Sequence, residues 1–393
     1  MGLLSERVVA VTGAGRGVGR EIALLCAKEG AAVVVNDLGG SAEGEGADLS
    51  PAQETVNDIK AAGGRALVNG ANVSDPKGAA SIIDDAVQTF GRIDAVVNNA
   101  GILRDRIWHK MSHEDWNAVI DVHLNGCFNV SKAATPYFRE QQSGSFIHFT
   151  STSGLIGNFG QANYSAAKLD IVGLSQSIAL DMARAGVRSN CIAPFAWSRL
   201  IATIPATNEA EAQRIERMKT MTADKIAPLV AFLASDASKE VSNQIFGVRK
   251  NEIFLFSKPR PIRSMQKNEG WTAASIADEM LPAFRAASPI RPNARATSSV
   301  TIPSDGDRSR QVADDAADYH AANPHAAGHD PLCAWRRHHR ARFPVRGAAE
   351  GAADDGGDLG LSGLHLARPG ARCELAENPA RRAVDHAARA VAG

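Results

Sequence analysis

Neither sign of charge is in surplus. The 43 Lys and Arg residues are matched by 43 Asp and Glu, so the formal net charge is zero. Without a basic excess the chain has no electrostatic means of capturing nucleic acid or an acidic membrane, and neither is expected as a partner. Cysteine is scarce. Cys26, Cys127, Cys191, Cys333 and Cys373 are scattered, odd in number and without metal-ligand spacing. They read as reduced thiols of a cytoplasmic protein with no metal centre. No apolar run is long enough to cross a bilayer. A valine-rich strand begins by Val8, which leaves no room for a signal or transit peptide. Glu6 stands where a myristoylation signal after Gly2 needs Ser or Thr, so lipidation is not expected.

Apolar periodicity also disappears beyond about Ala286. Ala, Arg, Asp, Gly, Pro and His dominate there, and seven of the eleven histidines fall between His320 and His386. The spacing of His320, His325, His329, His338 and His339 fits no ordinary ligand set. Residues 287–393 therefore read as a low-order tail, either disordered or the product of an out-of-frame message. Ahead of it, residues 1–270 are expected to form a single domain and 271–286 a helical extension.

What is present in that first part is alternation of strands and helices, the pattern of parallel strands joined by helical crossovers. Strands are expected at Val8–Thr12, Ala31–Val35, Ala66–Asn69, Ile93–Asn98, Ser145–Thr150, Val187–Ile192 and Gln244–Val248. Helix starts are marked by Ser50-Pro51-Ala52-Gln53, by Asp75-Pro76 and by Ser112-His113-Glu114-Asp115. Leu38–Leu49, rich in glycine and acid, is longer than such a connection needs and reads as a solvent-exposed loop.

Three sequence features carry chemistry. In Thr12-Gly13-Ala14-Gly15-Arg16-Gly17-Val18-Gly19 a strand runs into a tight turn and a helix. Gly13 permits the turn, Gly17 lets a pyrophosphate approach, and Gly19 lets the helix sit close on the sheet, while the helix N-terminus attracts phosphate. Asp37, twenty-four residues after Gly13 and just past the second strand, can accept hydrogen bonds from the hydroxyls of an adenosine ribose, which favours NAD. Arg16 in the turn keeps NADP, or dual use, as the lesser alternative.

The third feature is Tyr164 with Lys168 four residues later, and Ser151 thirteen residues before the tyrosine. Positions i and i+4 share a helix face, so the ammonium of Lys168 can sit beneath the phenol and lower its pKa. Ser151 can hold a substrate oxygen while Tyr164 exchanges its proton. An isolated Tyr-x-x-x-Lys is equally an ordinary surface pair; the glycine turn and Ser151 argue for the site.

With Asn98-Asn99-Ala100-Gly101 after the fourth strand, these residues resemble the short-chain dehydrogenase/reductase family over about residues 5–250. The stretches 33–40 (VVVNDLGG), 98–106 (NNAGILRDR), 122–128 (VHLNGCF) and 157–168 (GNFGQANYSAAK) are similar to the (3R)-hydroxyacyl-CoA dehydrogenase unit of peroxisomal multifunctional enzymes of type 2 and their bacterial relatives. The resemblance implies a doubly wound α/β Rossmann domain, NAD, and oxidation of a 3-hydroxyacyl thioester or related secondary alcohol. It makes Tyr164 the acid/base, Ser151 the group orienting substrate, and Lys168 a second contact to the nicotinamide ribose. Gly13, Arg16, Gly17, Val18, Gly19, Asp37, Asn72, Val73, Asn99, Ala100, Gly101 and Pro194 would line the cofactor together with Tyr164 and Lys168. It also implies a homodimer or homotetramer built on the helices near 113–138 and 162–184.

Some positions depart from the family pattern. His123 stands where many members place a relay asparagine; an imidazole can serve a relay or simply be packed. Asn72-Val73 stands where an aspartate is common, and Phe195-Ala196-Trp197 replaces the glycine that usually follows Pro194. In the segment 195–224, Trp197, Leu200, Ile201, Ile204, Met218 and Met221 suit an acyl or steroid-like substrate, or a lid packed on its own core. Lys258, Arg260 and Arg263 can contact coenzyme A phosphates or form a basic turn. A 3-oxoacyl-carrier-protein reductase, a hydroxysteroid dehydrogenase and a non-catalytic nucleotide-sensing scaffold remain as alternatives.

Overall fold

The structure is a computed structural model that describes residues 2–196 and 219–285, with isolated positions between them. The tail from 287 onward lies outside the described residues, as do Trp197, Leu200, Ile201, Ile204 and Met218 of the expected lid. Strands β1 (Val8–Thr12), β2 (Ala32–Asn36), β3 (Arg65–Asn69), β4 (Ala95–Asn98), β5 (Gly144–Phe149), β6 (Val187–Phe195), β7 (Ile245–Arg249) and β8 (Glu252–Leu255) form one sheet in the order β3-β2-β1-β4-β5-β6-β7-β8. β1 to β7 are parallel, and β8 returns antiparallel beside β7.

The strands are valine-rich and buried on both faces, as a parallel sheet between helical layers requires. Side chains alternate across the sheet with period two. Val9, Val11, Val33, Val35, Val97 and Ile147 join a core with Ile22 of α1 (Gly17–Lys28), Val56 and Ile59 of α2 (Ser50–Ala61), and Leu229 and Val230 of α8 (Ala227–Ala234). Val8, Ala10, Val34, Val96 and Phe146 face the opposite core, with Ile82 and Ile83 of α3 (Pro76–Phe90) and with Val130 and Phe138 of α5 (Gly126–Gln141). Each fully buried Val, Ile or Phe of these layers contributes about 1.5–3 kcal/mol. α4 (His113–Ile120) precedes α5, α6 (Thr152–Ile156) follows β5, and α7 (Ala162–Asp181) leads into β6.

Local chemistry explains the helix starts. Asp75 accepts hydrogen bonds from the Lys77 and Gly78 amides at the head of α3, and Ser112 accepts from Asp115 at the head of α4. Ser50-Pro51-Ala52-Gln53, which reads in sequence as a capping box, does not act as one. Ser50 is itself the first residue of α2, preceded by Leu49, and no side chain caps that end. β8 was not anticipated. Its hairpin turns through Lys250, at φ 54°, and only Phe254 faces inward while Ile253 and Leu255 stay exposed, too short an alternation to stand out from the basic segment that follows it.

The strand order places β1 beside β4, with β2 and β3 on one side and β5 onward on the other. Connections therefore leave the carboxyl ends of β1 and β4 toward opposite faces, opening the crevice in which such sheets bind ligands.

Candidate active site

Gly13 leaves β1 at φ 66°, and a Cβ there would lie 2.8 Å from the Ala100 Cα. A Cβ on Gly19 would lie 2.1 Å from the Gly13 carbonyl oxygen, so the first turn of α1 tolerates no side chain at that position. Gly17, at φ 54°, faces open space. No side chain caps the first turn of α1, which leaves its amides for an anion. Thr12 and Asn99 join the two strand ends. The Thr12 hydroxyl accepts from the Asn99 and Ala100 amides, each at 3.1 Å, and Asn99 Nδ2 donates to the Thr12 and Gly13 carbonyls at 3.0 and 3.1 Å. These residues fit a dinucleotide: a cleared turn, free amides and a braced strand end.

Asp37 follows β2, where its carboxylate accepts from the Gly15 amide at 2.8 Å and the Gly39 amide at 2.7 Å. It is thereby fixed beside the glycine turn with lone pairs to spare. Arg16 is drawn to Asp48, 3.9 Å away. The loop holding Asp48 is largely exposed, yet it is fastened down: the Leu103 amide donates to the Ala42 carbonyl at 3.0 Å, and Arg104 Nε donates to the Glu43 carbonyl at 2.9 Å. At the other adenine-side position, Asn72 accepts from the Ser74 amide and Val73 is buried. Val18 packs half-buried on the core beneath the turn.

Ser151, at the end of β5, caps α6 by accepting from the Ser153 amide at 3.1 Å. Tyr164 is the third residue of α7, in its first turn, and Ser151 hydrogen-bonds its hydroxyl. Lys168 is buried one turn on. Its Nζ donates to the Phe149 carbonyl at 2.6 Å and lies 5.6 Å from the centre of the Tyr164 ring. The expected lowering of the phenol pKa by Lys168 is corrected here. Burial raises the phenol above its ordinary value, the Ser151 hydrogen bond opposes this, and the Asp105 carboxylate adds to it. The ammonium is directed at a backbone carbonyl, and burial brings its own pKa down to about 8. Burial thus favours the neutral phenol.

His123 lies in a π turn, Asp121–Asn125, between α4 and α5. The extra residue in that turn brings the imidazole inward, edge-on to the Tyr164 ring with centroids 5.2 Å apart. A Cβ on Gly101 would lie 2.2 Å from the imidazole, which accounts for the glycine. Nε2 meets the Ile102 backbone, and Nδ1 is buried without a hydrogen-bond partner. His148, inside β5, is likewise buried with Nε2 unpartnered. Burial, with the Lys168 charge second, pushes both pKa values down to about 3.

That depression fixes a pH dependence of stability. Below about 6.5 the unfolded chain binds protons on both rings that the folded chain refuses until about pH 3, so folding weakens as pH falls through that window. Each ring is expected to remove about 2 kcal/mol between pH 7 and 5. Denaturant melts at the two pH values check this, and a His123→Asn variant should show a smaller loss than the parent. An identical loss in both would remove His123 from the account.

Four residues not singled out in the sequence complete the site. Besides Thr12, buried Asn163 donates to the Arg104 and Asp115 carbonyls at 3.0 and 3.1 Å and accepts from the Tyr164 amide at 2.7 Å. Gln161 and Asp105 bond at 2.8 Å. Asn163 and Gln161 flank the tyrosine closely, so adjacency was the available signal. Pro194 lies on β6 opposite Val248, and β6 continues through Phe195. Of the basic residues near the C-terminal end, Arg263 is engaged with the Ala283 carbonyl at 2.6 Å.

A model of the short chain dehydrogenase family matches residues 7–201. A short-chain type dehydrogenase/reductase of Mycobacterium tuberculosis is 48% identical over 233 residues, 59% of this chain and 79% of that protein. Peroxisomal multifunctional enzyme type 2 of Drosophila melanogaster is 45% identical over 61% of this chain, which spans only 38% of that longer protein. The crystal structure of a short chain dehydrogenase from Mycobacterium avium superposes with a TM-score of 0.65 at 38% identity, covering 74% of this chain and 99% of its own. Among the described residues no helix is long and apolar enough to cross a membrane. With a doubly wound sheet, a cleared dinucleotide turn and these likenesses together, the chain belongs to the short-chain dehydrogenase/reductase family, enzymes that act on CH–OH groups with NAD or NADP.

Proposed function

We propose that the protein oxidises a 3-hydroxyacyl thioester of coenzyme A to its 3-oxo form, with NAD as the electron acceptor. The observation that carries this reading is the meeting of Ser151, Tyr164 and buried Lys168 at the end of β5, across the crevice from the glycine turn. Asp37, fixed at the end of β2, supports NAD, since a carboxylate there repels a ribose phosphate. Arg16 is drawn toward Asp48 and offers such a phosphate little.

In this reading the turn Gly13–Gly19 holds the pyrophosphate, Asp37 holds the adenosine ribose, and Asn99–Gly101 with Lys168 line the nicotinamide end. Once bound, the oxidised nicotinamide supplies the acceptor for hydride from substrate C3. Ser151 orients the substrate oxygen, Tyr164 takes the hydroxyl proton, and Lys168, anchored on the Phe149 carbonyl, would reach the nicotinamide ribose. His123 braces the phenol ring edge-on. Preorganised polar groups and positioning account for most of the acceleration. Exposed Phe128 on α5 and Leu169 and Leu180 on α7 support a homodimer or homotetramer formed through those helices. The buried free thiols Cys26, Cys127 and Cys191 suit a cytoplasmic location.

The raised proton affinity of Tyr164 favours a second reading at neutral pH, reduction of a 3-oxoacyl group, because a neutral phenol donates. Oxidation needs the deprotonated phenol and should accelerate as pH rises above neutral, while reduction slows. The test follows NADH and NADPH absorbance in both directions across pH, with (3R)- and (3S)-hydroxyacyl-CoA, acyl-carrier-protein substrates and hydroxysteroids. The proposal predicts NAD-linked oxidation of one hydroxyacyl-CoA enantiomer, rising with pH. Preference for NADPH and carrier-protein substrates would establish the reductase, and turnover of steroids alone would replace the acyl substrate. Cofactor binding without any turnover would point to a nucleotide-sensing scaffold.

A further inference from the structure

We propose that Asp105 is a positioning residue for the reaction assigned above: through its bond to Gln161 it holds the serine turn and the tyrosine helix in one register, with its negative charge on the side of the Tyr164 phenol. The inference rests on that reading of the site and extends it to a carboxylate outside the serine, tyrosine and lysine.

Asp105 lies in the segment that follows β4. Its Oδ2 accepts from Gln161 Nε2 at 2.8 Å. Gln161, buried at the entrance to α7, accepts at Oε1 from Ser153 Oγ at 2.9 Å and from Asn158 Nδ2 at 2.8 Å. Both ends of the carboxamide are therefore committed, and its orientation depends on an acceptor at position 105. Ser153 in turn donates its amide to Ser151 Oγ at 3.1 Å. One connected chain thus runs from Asp105 through Gln161 and Ser153 to the hydroxyl that orients substrate.

The backbone fastens the same two segments. Arg106 forms a parallel bridge to Gln161 and donates its amide to the Gly160 carbonyl at 2.8 Å, while Asn163 holds the Arg104 carbonyl. So much cross-linking around a charged residue points to a geometric task.

The charge has a second effect. The groups facing Tyr164 are neutral His123 from the π turn, Ser151 from the end of β5, Lys168 on its own helix and Asp105. Nearby Arg104 and Arg106 are within 4.0 Å and 3.7 Å of Asp115 on α4. Asp105 is the negative charge among the groups that act on the phenol, and it raises the phenol's affinity for its proton. Enclosure raises the Asp105 carboxyl itself, opposed by the Gln161 bond and by Arg106.

Asp105→Asn keeps an acceptor for Gln161 and removes the charge, whereas Asp105→Ala removes both. The phenol of Tyr164 is read by ultraviolet phenolate titration of the full chain, subtracting a Tyr164→Phe background from its three tyrosines. In Asp105→Asn the phenol should titrate at lower pH than in the parent, and the pH profile of alcohol oxidation should move the same way. Asp105→Ala should lose roughly tenfold in kcat with the KM for NAD unchanged, because Gln161 is left without its acceptor. Superposed titrations of the parent and Asp105→Asn would overturn the proposal, as would parental kcat in Asp105→Ala. If the parent reduces no cofactor with any alcohol, the dehydrogenase reading fails, and the phenol titration alone decides: a downward shift sustains the role of Asp105 and coincident curves refute it.

Discussion

Tyr164→Phe is expected to lower kcat for alcohol oxidation roughly a thousandfold, the scale set by loss of a general acid/base. The substitution removes one oxygen and leaves the ring. Its edge-on contact with His123 and its place above Lys168 depend on the ring alone, so the fold and the cofactor groove should persist. What disappears is the hydroxyl bonded to Ser151. Cofactor titration followed by protein fluorescence should give a Kd close to that of the parent. Turnover near the parental value would mean that a different group moves the proton.

The second large effect concerns Lys168 and separates stability from activity. Its ammonium is buried against the Phe149 carbonyl, and burial lowers its pKa from 10.5 to about 8. Between those values the unfolded chain binds a proton that the folded chain releases, so stability rises with pH across the window. Below it, the buried charge costs on the order of 3 kcal/mol. Lys168→Met fills much of the space with an uncharged side chain. It should therefore be at least as stable as the parent at neutral pH and lack the gain in stability between pH 8 and 10, as thermal melts would show. Its oxidation rate should nevertheless fall by roughly a thousandfold, and its affinity for NAD by at least about tenfold. A variant with parental NAD binding would deny the lysine its contact with cofactor. One that unfolds at neutral pH would show that the charge supports the fold. Chains commonly give up stability at sites of chemistry, and a buried ammonium at Lys168 is what the proposed role would require.

The sheet and the candidate residues that it brings together were legible because their causes are local. Continuous valine runs mark strands buried on both faces, and at Gly13 and Gly19 an added Cβ would press into neighbouring backbone and the Asn99 side chain. Ser151, Tyr164 and Lys168 could be paired because helix periodicity and the strand end put them on one side. What escaped notice depends on contacts between distant segments. Asp105 and Gln161 are 56 positions apart, and neither carries a pattern that announces the other. The direction of the Lys168 ammonium could not be read from an i, i+4 spacing, because the carbonyl of Phe149 on a neighbouring strand competes for it. The π turn that carries His123 inward inserts a residue in a helix whose sequence reads continuously.

The central claim is that this site transfers hydride from the carbinol carbon of a 3-hydroxyacyl thioester to NAD while Tyr164 takes the proton. The most direct measurement uses (3R)-hydroxyacyl-CoA carrying deuterium at C3, with mass analysis of the cofactor after incubation with the full chain. The account predicts reduced NAD carrying the deuterium in the parent protein and none above background in Tyr164→Phe. Unlabelled cofactor recovered only in oxidised form, although NAD is bound and the C3 stereoisomers have both been supplied, would contradict it.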